Sequence, residues 1–139
     1  NVHAEKVGDL PMNDGDVTLF FRVGTDYNNN FYEYEIPLKL TPPGVYDANS
    51  VDARNAVWPA ENQVNFKFSE ISIVKDERNS KYGYYSNLNQ LSTPYSKNFD
   101  THTITIVGNP NLATVKSIMV GVRNRKGADN SSSHCVEVW

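Results

Sequence analysis

Two glutamates, Glu33 and Glu35, have the residue type and spacing that could support acid–base catalysis. They stand two positions apart in an alternating segment, so on a β-strand they would project from one face, ~7 Å apart. Paired carboxylates at about this separation can hydrolyse glycosides. The simpler interpretation, which we favour, is that they form the water-facing side of a strand at the edge of a sheet.

A second group of oxygen-bearing side chains, Asn13, Asp14 and Asp16, lies near the start of the chain. Ca²⁺ takes ~6–8 oxygen ligands, so three candidates in one loop are too few. Asp47, Asn49 and Asp52 could complete a site only if the fold brought the two loops together. Turn formation explains these residues more simply. We therefore expect no cofactor, with a Ca²⁺ site as the alternative.

Histidine and cysteine form no pattern typical of a metal site or a nucleophile. His3, His102 and His134 are far apart, and the single cysteine, Cys135, excludes an internal disulfide and a cysteine-based metal site. We expect His102 to be a structural histidine and Cys135 a small buried hydrophobe. Because the common catalytic motifs are also missing from the sequence, the chain is predicted not to be an enzyme.

Four tyrosines in a polar segment, Tyr82, Tyr84, Tyr85 and Tyr95, are the strongest candidates for ligand binding. Sugars stack on exposed aromatic rings, and tyrosine joins an apolar ring to a polar tip. Aromatic side chains in loops also fold back over a core or meet a neighbouring domain. We favour this packing role and keep a glycan platform as the alternative.

Length and charge narrow the class of protein. The chain has 139 residues and a formal net charge of −3, which fits one globular domain over residues 1–139. The basic residues are scattered, so a nucleic-acid partner is not expected. No apolar run approaches the ~20 residues of a membrane helix, so this segment is not expected to span a membrane.

Alternating apolar segments separated by turn signals predict a mainly β fold. The segments are residues 17–23, 31–40, 101–107, 118–122 and 135–139. They favour an antiparallel β-sandwich, jelly-roll-like, with at most one or two short helices. Its core is predicted to lie between two sheets and to contain nine alternating apolar side chains: Leu19, Phe21, Tyr34, Ile36, Leu38, Ile104, Ile106, Val120 and Val122.

For three segments, the sequence also predicts a position in the sheet or a type of element. Pro37 removes a ladder N–H, which places the strand of residues 31–40 at or near an edge. Residues 45–59 have no sustained period and are predicted to be a long connection. Residues 61–79 fit either a strand or a helix, and we favour a short helix over the second half.

Three stretches of the sequence, which extend roughly from residue 20 to residue 139, carry a family resemblance. In the first, Trp-Pro-Ala-Glu-Asn at 58–62 leads into the run that ends with Lys-Asp-Glu-Arg-Asn at 75–79. In the second, Ile-Val-Gly-Asn-Pro-Asn-Leu at 106–112 leads to Ile-Met-Val-Gly-Val-Arg-Asn at 118–124, and the third is Val-Glu-Val-Trp at 136–139. In this order they resemble the SprA/Sov family of Bacteroidetes, the large outer-membrane translocons of type IX secretion and gliding motility. The Gly-Asn-Pro and Gly-Val-Arg-Asn strings are the most specific part, and the family motifs carry no catalytic residue to transfer.

The resemblance implies a function in protein export. We expect a soluble, non-catalytic fragment of a much larger protein, associated with the outer membrane on its cell-surface or periplasmic side. Its implied partners are other domains of the same protein and components of the secretion system. The alternative hypothesis is a carbohydrate-binding module or adhesin-like domain of a Bacteroidetes surface protein, with a glycan as partner.

Overall fold

A computed structural model describes residues 1–9, 11–83, 88–125 and 136–138. These residues form seven strands: β1 (Ala4–Lys6), β2 (Val17–Gly24), β3 (Phe31–Pro37), β4 (Tyr95–Asn98), β5 (Thr103–Val107), β6 (Ser117–Asn124) and β7 (Val136–Val138). They also form three α-helices, α1 (Val51–Val57), α2 (Phe68–Tyr82) and α3 (Leu88–Leu91), and two short 3₁₀ helices at Ala60–Asn62 and Leu112–Thr114.

Five of the strands form one antiparallel sheet in the order β4-β5-β3-β2-β6, and β1 pairs with β7 in a second, two-stranded sheet. In the larger sheet Phe31 lies opposite Val107 and Glu35 opposite Thr103. The fold is therefore mainly β, as the alternation predicted. The face-to-face arrangement of two sheets in a sandwich stays a prediction.

The chain divides into two compact units. One contains Asn1–Leu19, Ile36–Asn65 and Val122–Trp139, and the other contains Phe20–Glu35 and Phe66–Gly121. We call them the first and the second unit. The single domain expected over residues 1–139 stays a prediction.

Six of the nine core residues predicted from strand alternation are buried, and Phe21 is half-buried. Tyr34, Ile104 and Ile106 are at most 1% exposed, and they share one face of β3 and β5 because Tyr34 pairs with Ile104. Ile71 and Val74 of α2 are buried as well, and α2 packs against β4 and β5. In the first unit, Leu38 and Ile36 are each 1% exposed.

Two of the predicted core residues, Val120 and Val122, are wrong. Both lie on β6, and they are 63% and 46% exposed. Alternation predicts that such side chains share a face, but it does not predict that another element covers the face. Helix α2 packs at the β4–β5 edge of the sheet, whereas β6 is at the opposite edge.

The edge position predicted for residues 31–40 is also wrong. Strand β3 lies at the centre of the five-stranded sheet, between β5 and β2. Pro37 is its last residue and is exposed. A proline at this end of the strand removes no N–H from the ladder interior, so it does not require an edge.

One helix was not predicted from the sequence, and another is longer than predicted. The predicted connection over residues 45–59 contains α1, which has no buried residue and therefore no apolar period to detect. The Ser50 hydroxyl accepts the Ala53 N–H at 3.3 Å and caps its start. The helix favoured within residues 61–79 is confirmed as α2, and its 15 residues extend it to Tyr82.

Candidate functional site

The predicted tyrosine platform is partly described. Tyr82 ends α2 and Tyr95 begins β4, and their rings meet edge to face with centroids 6.1 Å apart. The Lys81 ammonium lies over both rings, 5.3 and 5.5 Å from their centroids. A cation there competes for the ring faces on which a sugar would stack. Tyr84 and Tyr85 lie outside the described residues.

The acidic loop uses its oxygens to form a turn. Asp16 Oδ2 accepts the Asn13 N–H at 2.9 Å, and Asp14 Oδ1 accepts the Leu40 N–H at 2.8 Å. In the second predicted loop, Asp47 Oδ1 accepts the Asn49 N–H at 2.9 Å. In the part of the chain that the structure describes, no three His, Cys, Asp or Glu side chains are grouped as a metal site would require.

The two glutamates of β3 do not face water. Glu33 and Glu35 are only 5% and 7% exposed, which corrects the assignment to a solvent face. Arg22 of the neighbouring β2 donates to Glu33 Oε2, with Nη2 at 2.7 Å and Nε at 2.9 Å. Its guanidinium also lies over the Phe31 ring, 3.8 Å from the centroid. Because β3 is central, strands lie along both of its edges, and Arg22 of one neighbour pairs with the Glu33 carboxylate within the sheet.

His102 contacts helix α2 and two aromatic rings. Its Nε2 lies 2.9 Å from Glu70 Oε2. The imidazole stacks on Tyr34 at 4.6 Å and on Phe99 at 5.0 Å between ring centroids. His102 is 8% exposed. These contacts attach α2 to the start of β5 and give His102 a structural role.

The Gly-Asn-Pro string forms a hydrogen-bonded corner in the second unit, which we call the Gly108 corner (Gly108, Asn109 and Pro110). The Gly108 N–H donates to Leu91 O at 2.6 Å, and its carbonyl accepts from the buried Arg78 guanidinium of α2. The two neighbouring residues bond to the β2–β3 hairpin. The Asn109 N–H donates to Asn30 Oδ1 at 2.9 Å, and the Tyr32 hydroxyl donates to Pro110 O at 3.2 Å.

Only glycine fits the first position of this corner. Gly108 has φ of +68°, and a Cβ there would overlap the backbone oxygen of Asn29. Asn29 belongs to a loop ordered by Asp26, whose Oδ1 accepts the N–H groups of Asn28, Asn29 and Asn30. Bonds from the Asn30 side chain and then from these backbone groups lower the pKa of Asp26 to about 2.

The last residue of the Trp-Pro-Ala-Glu-Asn string has an equivalent role in the first unit. Asn62 is completely buried. Its Nδ2 donates to Val2 O at 3.0 Å and to Lys39 O at 2.8 Å, and its Oδ1 accepts the Lys39 N–H at 2.7 Å. We call this set the Asn62 clamp. One side-chain amide thus bonds two backbone segments that are far apart in the sequence.

The same string lines an open cleft of the first unit, the Trp58 cleft, with a volume of about 680 Å³. Trp58 is 42% exposed in its wall. The polar lining residues include Asn55, Gln63 and the pair Lys39–Glu61, whose Nζ and Oε1 are 2.6 Å apart. Hydrogen bonding within this pair raises the pKa of Lys39 and lowers that of Glu61.

Sequence reasoning did not identify Asn62, Arg78 or Trp58 as important side chains. All three occur in the first stretch that carried the resemblance, which was the available signal. The burial of Arg78 was not expected, because a charged residue in the last turns of a helix is usually solvated. Its complete burial depends on the Gly108 carbonyl, which only the fold places beside it.

These features define a mainly β protein in which two of the strings that carry the family resemblance form internal hydrogen-bond centres. The family model described as motility related/secretion protein, SprA_N, matches residues 1–139, and the chain belongs to this family. It is therefore related to motility and secretion. No curated protein matches the chain. In the described residues, no helix is long and apolar enough to cross a membrane.

Proposed function

We propose that this chain is a non-catalytic structural and interaction domain of an outer-membrane translocon that serves type IX secretion and gliding motility. Its partners are other domains of the same large protein and components of the secretion system. Its place is at the outer membrane, on the cell-surface or periplasmic side.

The main support for this proposal is that the strings that carry the family resemblance form hydrogen bonds inside the protein. The Gly108 corner joins α2, α3 and the β2–β3 hairpin, and the Asn62 clamp joins Val2 to Lys39. A string with a catalytic or binding role would aim its polar atoms at a ligand. Here Gly108, Asn109 and Asn62 bond to other parts of the chain itself, which supports a structural role for these strings.

A genetic experiment tests the proposal. In a bacterium whose parent protein contains this segment, residues 1–139 are deleted in frame, and secretion of a type IX cargo and spreading of the colony are measured. Both should fall. The abundance of the parent protein in the outer-membrane fraction is measured in parallel, so that loss of function is separated from loss of protein.

Two point variants provide a matched comparison in the same strain. Asn62→Ala opens the buried clamp and should reduce secretion, whereas Gln90→Ala changes an exposed amide outside both the clamp and the Trp58 cleft and should not. Normal secretion and spreading after the deletion, with the parent protein at its usual level, would contradict the proposal.

A second candidate function is carbohydrate binding, and the Trp58 cleft is the observation that favours it. Its volume of about 680 Å³ is within the ~300–1,000 Å³ range of small-molecule sites. An exposed indole beside amide and charged side chains can stack on a sugar ring and bind its hydroxyls. This candidate differs from the one based on tyrosines, because its aromatic residue is Trp58.

Titration of the chain with oligosaccharides, followed by calorimetry, separates the two functions. The interaction-domain proposal expects no saturable heat. A dissociation constant below ~1 mM, about −4 kcal/mol, that Trp58→Ala abolishes and Tyr95→Ala does not would favour the glycan function instead.

A further inference from the structure

The first three residues of the chain hold the wall of the Trp58 cleft. Asn1 Nδ2 donates to Trp58 O at 3.4 Å, and Asn1 also lines the cleft. The Val2 N–H donates to Asn62 O at 3.1 Å, in addition to the bond that Val2 O accepts in the Asn62 clamp. These bonds reach both ends of the Trp-Pro-Ala-Glu-Asn string, so the string that lines the cleft is attached to this segment at each end.

His3 is the buried part of this support. It is 8% exposed, and its Nδ1 lies 2.9 Å from Val57 O. Its ring packs at a tilt against the Trp58 indole, with 5.7 Å between the centroids. The Thr41 hydroxyl lies 3.1 Å from the same Nδ1 and donates to Val57 O at 3.3 Å. A half-exposed tryptophan is thus positioned by a buried histidine that itself has fixed partners.

The same segment continues directly into β1. Ala4 is completely buried and lies opposite Val138, and the next two residues also pair with β7. Ala4 O accepts the Thr41 N–H at 2.7 Å. Because consecutive Cα atoms are about 3.8 Å apart, Ala4 cannot move far without moving His3 as well. The residues that support Trp58 and the residues that pair with β7 therefore form one short mechanical unit.

We propose that residues 1–6 act as a strap that couples the shape of the Trp58 cleft to the pairing of β1 with β7. While β7 is paired, the strap holds Trp58 against His3 and the cleft keeps its form. When β7 leaves, β1 keeps only its contacts with Thr41, the strap loosens and the indole is released. Any ligand that fits the formed cleft would then bind more tightly in the paired state and, by reciprocity, would favour the pairing.

This inference goes beyond the proposed function and does not depend on it. It describes how two parts of the first unit act on each other, and it holds whether the chain binds a protein or a glycan. Its test therefore needs no ligand and uses Trp58 itself as the reporter. Failure of the strap would leave the secretion measurements unaffected.

Tryptophan fluorescence of the full chain tests the coupling. The sequence has two tryptophans, Trp58 and Trp139, so Trp139→Phe leaves Trp58 as the only reporter. In this background, Glu137→Pro opens the β1–β7 ladder at its central pair, Glu5 with Glu137. Acrylamide quenching and the emission maximum of Trp58 are measured, and circular dichroism shows whether the rest of the chain stays folded.

We expect Glu137→Pro to raise the quenching constant of Trp58 and to shift its emission to the red. Trp58 is 42% exposed in the folded chain, so its full release should raise quenching by about twofold. Ser96→Pro is the matched control, because β4 is also short and, among the described residues, ends its sheet. It belongs to the second unit and should leave the quenching of Trp58 unchanged.

The coupling must also act in the opposite direction. His3→Ala removes the contact with Val57 O and should speed amide hydrogen exchange of Val136–Val138. Lys6→Ala is the control, because it changes a side chain of β1 and leaves His3 in place. If both changes act through the strap, Trp58 in the double variant His3→Ala, Glu137→Pro should be quenched no more than in Glu137→Pro alone.

Two results would each overturn the inference. One is unchanged quenching of Trp58 in a folded Glu137→Pro chain whose Ala4–Lys6 amides exchange faster. The other is unchanged exchange of β7 after His3→Ala, or an equal increase after Lys6→Ala. If Glu137→Pro unfolds the whole chain, circular dichroism reveals it, and the exchange measurement on His3→Ala decides alone.

Discussion

At the scale of single residues, the Gly108 corner restricts the residue type most strongly, because its first position requires glycine. Gly108→Ala would place a methyl group against the Asn29 oxygen and keep a positive φ. We expect it to lower the free energy of unfolding by about 3 kcal/mol or more, through both backbone strain and displacement of the hairpin.

Gly8→Ala is the control for this prediction. Gly8 also has a positive φ, +81°, but among the described residues beyond its two chain neighbours no atom lies within 4 Å of the added Cβ. Its cost should be about 1–2 kcal/mol, from the left-handed conformation alone. Urea denaturation of the two variants measures the difference in their free energies of unfolding. Equal decreases in the two variants would show that the protein relieves the overlap at Gly108 without losing stability.

The Asn62 clamp predicts a comparable loss from removal of one amide. Asn62→Ala leaves Val2 O, Lys39 O and the Lys39 N–H without their side-chain partner. The expected cost is about 2–4 kcal/mol of unfolding free energy. Asn55→Ala, at an exposed position, should change stability by less than about 0.5 kcal/mol, and a similar loss in both variants would contradict the role of the clamp.

Asp26 allows a prediction of how stability depends on pH. Its pKa is lowered from 3.8 to about 2 by the N–H groups of its loop. The stabilisation by this carboxylate is therefore complete above pH 3.8 and is lost as pH falls toward 2. Thermal melts across this window should show a smaller decline with pH for Asp26→Asn than for the parent chain. Parallel curves would exclude the predicted contribution.

At the scale of elements, β1 depends on β7. Ala4 pairs with Val138 and Lys6 with Val136, whereas the contact of β1 with Thr41 is an isolated bridge. Truncation after residue 135 should therefore increase amide hydrogen exchange in β1 and leave α2 protected. Unchanged exchange of Ala4–Lys6 would mean that other contacts hold this strand.

Elements were more predictable from sequence than their positions. The alternation of residues 31–40 and 101–107 located β3 and β5, because the period of two follows from strand geometry alone. The order of strands depends on contacts between distant residues, so Pro37 suggested the wrong position for β3. The same limit applies to Glu33 and Val120, whose exposure depends on which neighbours the sheet and helix supply.

The candidate functional residues were less predictable from the sequence than the fold, because their exposure and partners depend on the fold. Tyr82 and Tyr95, two of the four candidate tyrosines, are in contact. Trp58 was not chosen, because an exposed tryptophan cannot be distinguished from a buried one in the sequence. Asn62 was overlooked for the opposite reason, since an asparagine after a turn is usually solvated.

At the scale of the whole molecule, the two compact units share elements. Strands β2, β3 and β6 each contribute residues to both units. One unit cannot unfold completely without breaking strands of the other, so we expect a single cooperative thermal transition. Calorimetry tests this through the ratio of calorimetric to van't Hoff enthalpy, and two separated transitions would contradict the predicted single domain.

The pairing of β1 with β7 has a mechanical consequence. Because Ala4 lies opposite Val138, the strand nearest the start of the chain and the strand nearest its end are antiparallel neighbours. Tension applied through the two ends would load this ladder at one extremity and open it one pair at a time, like a zipper. Such peeling resists much less force than the simultaneous shearing of a whole ladder. Under such a load, these three pairs would open in sequence, beginning with Ala4 and Val138.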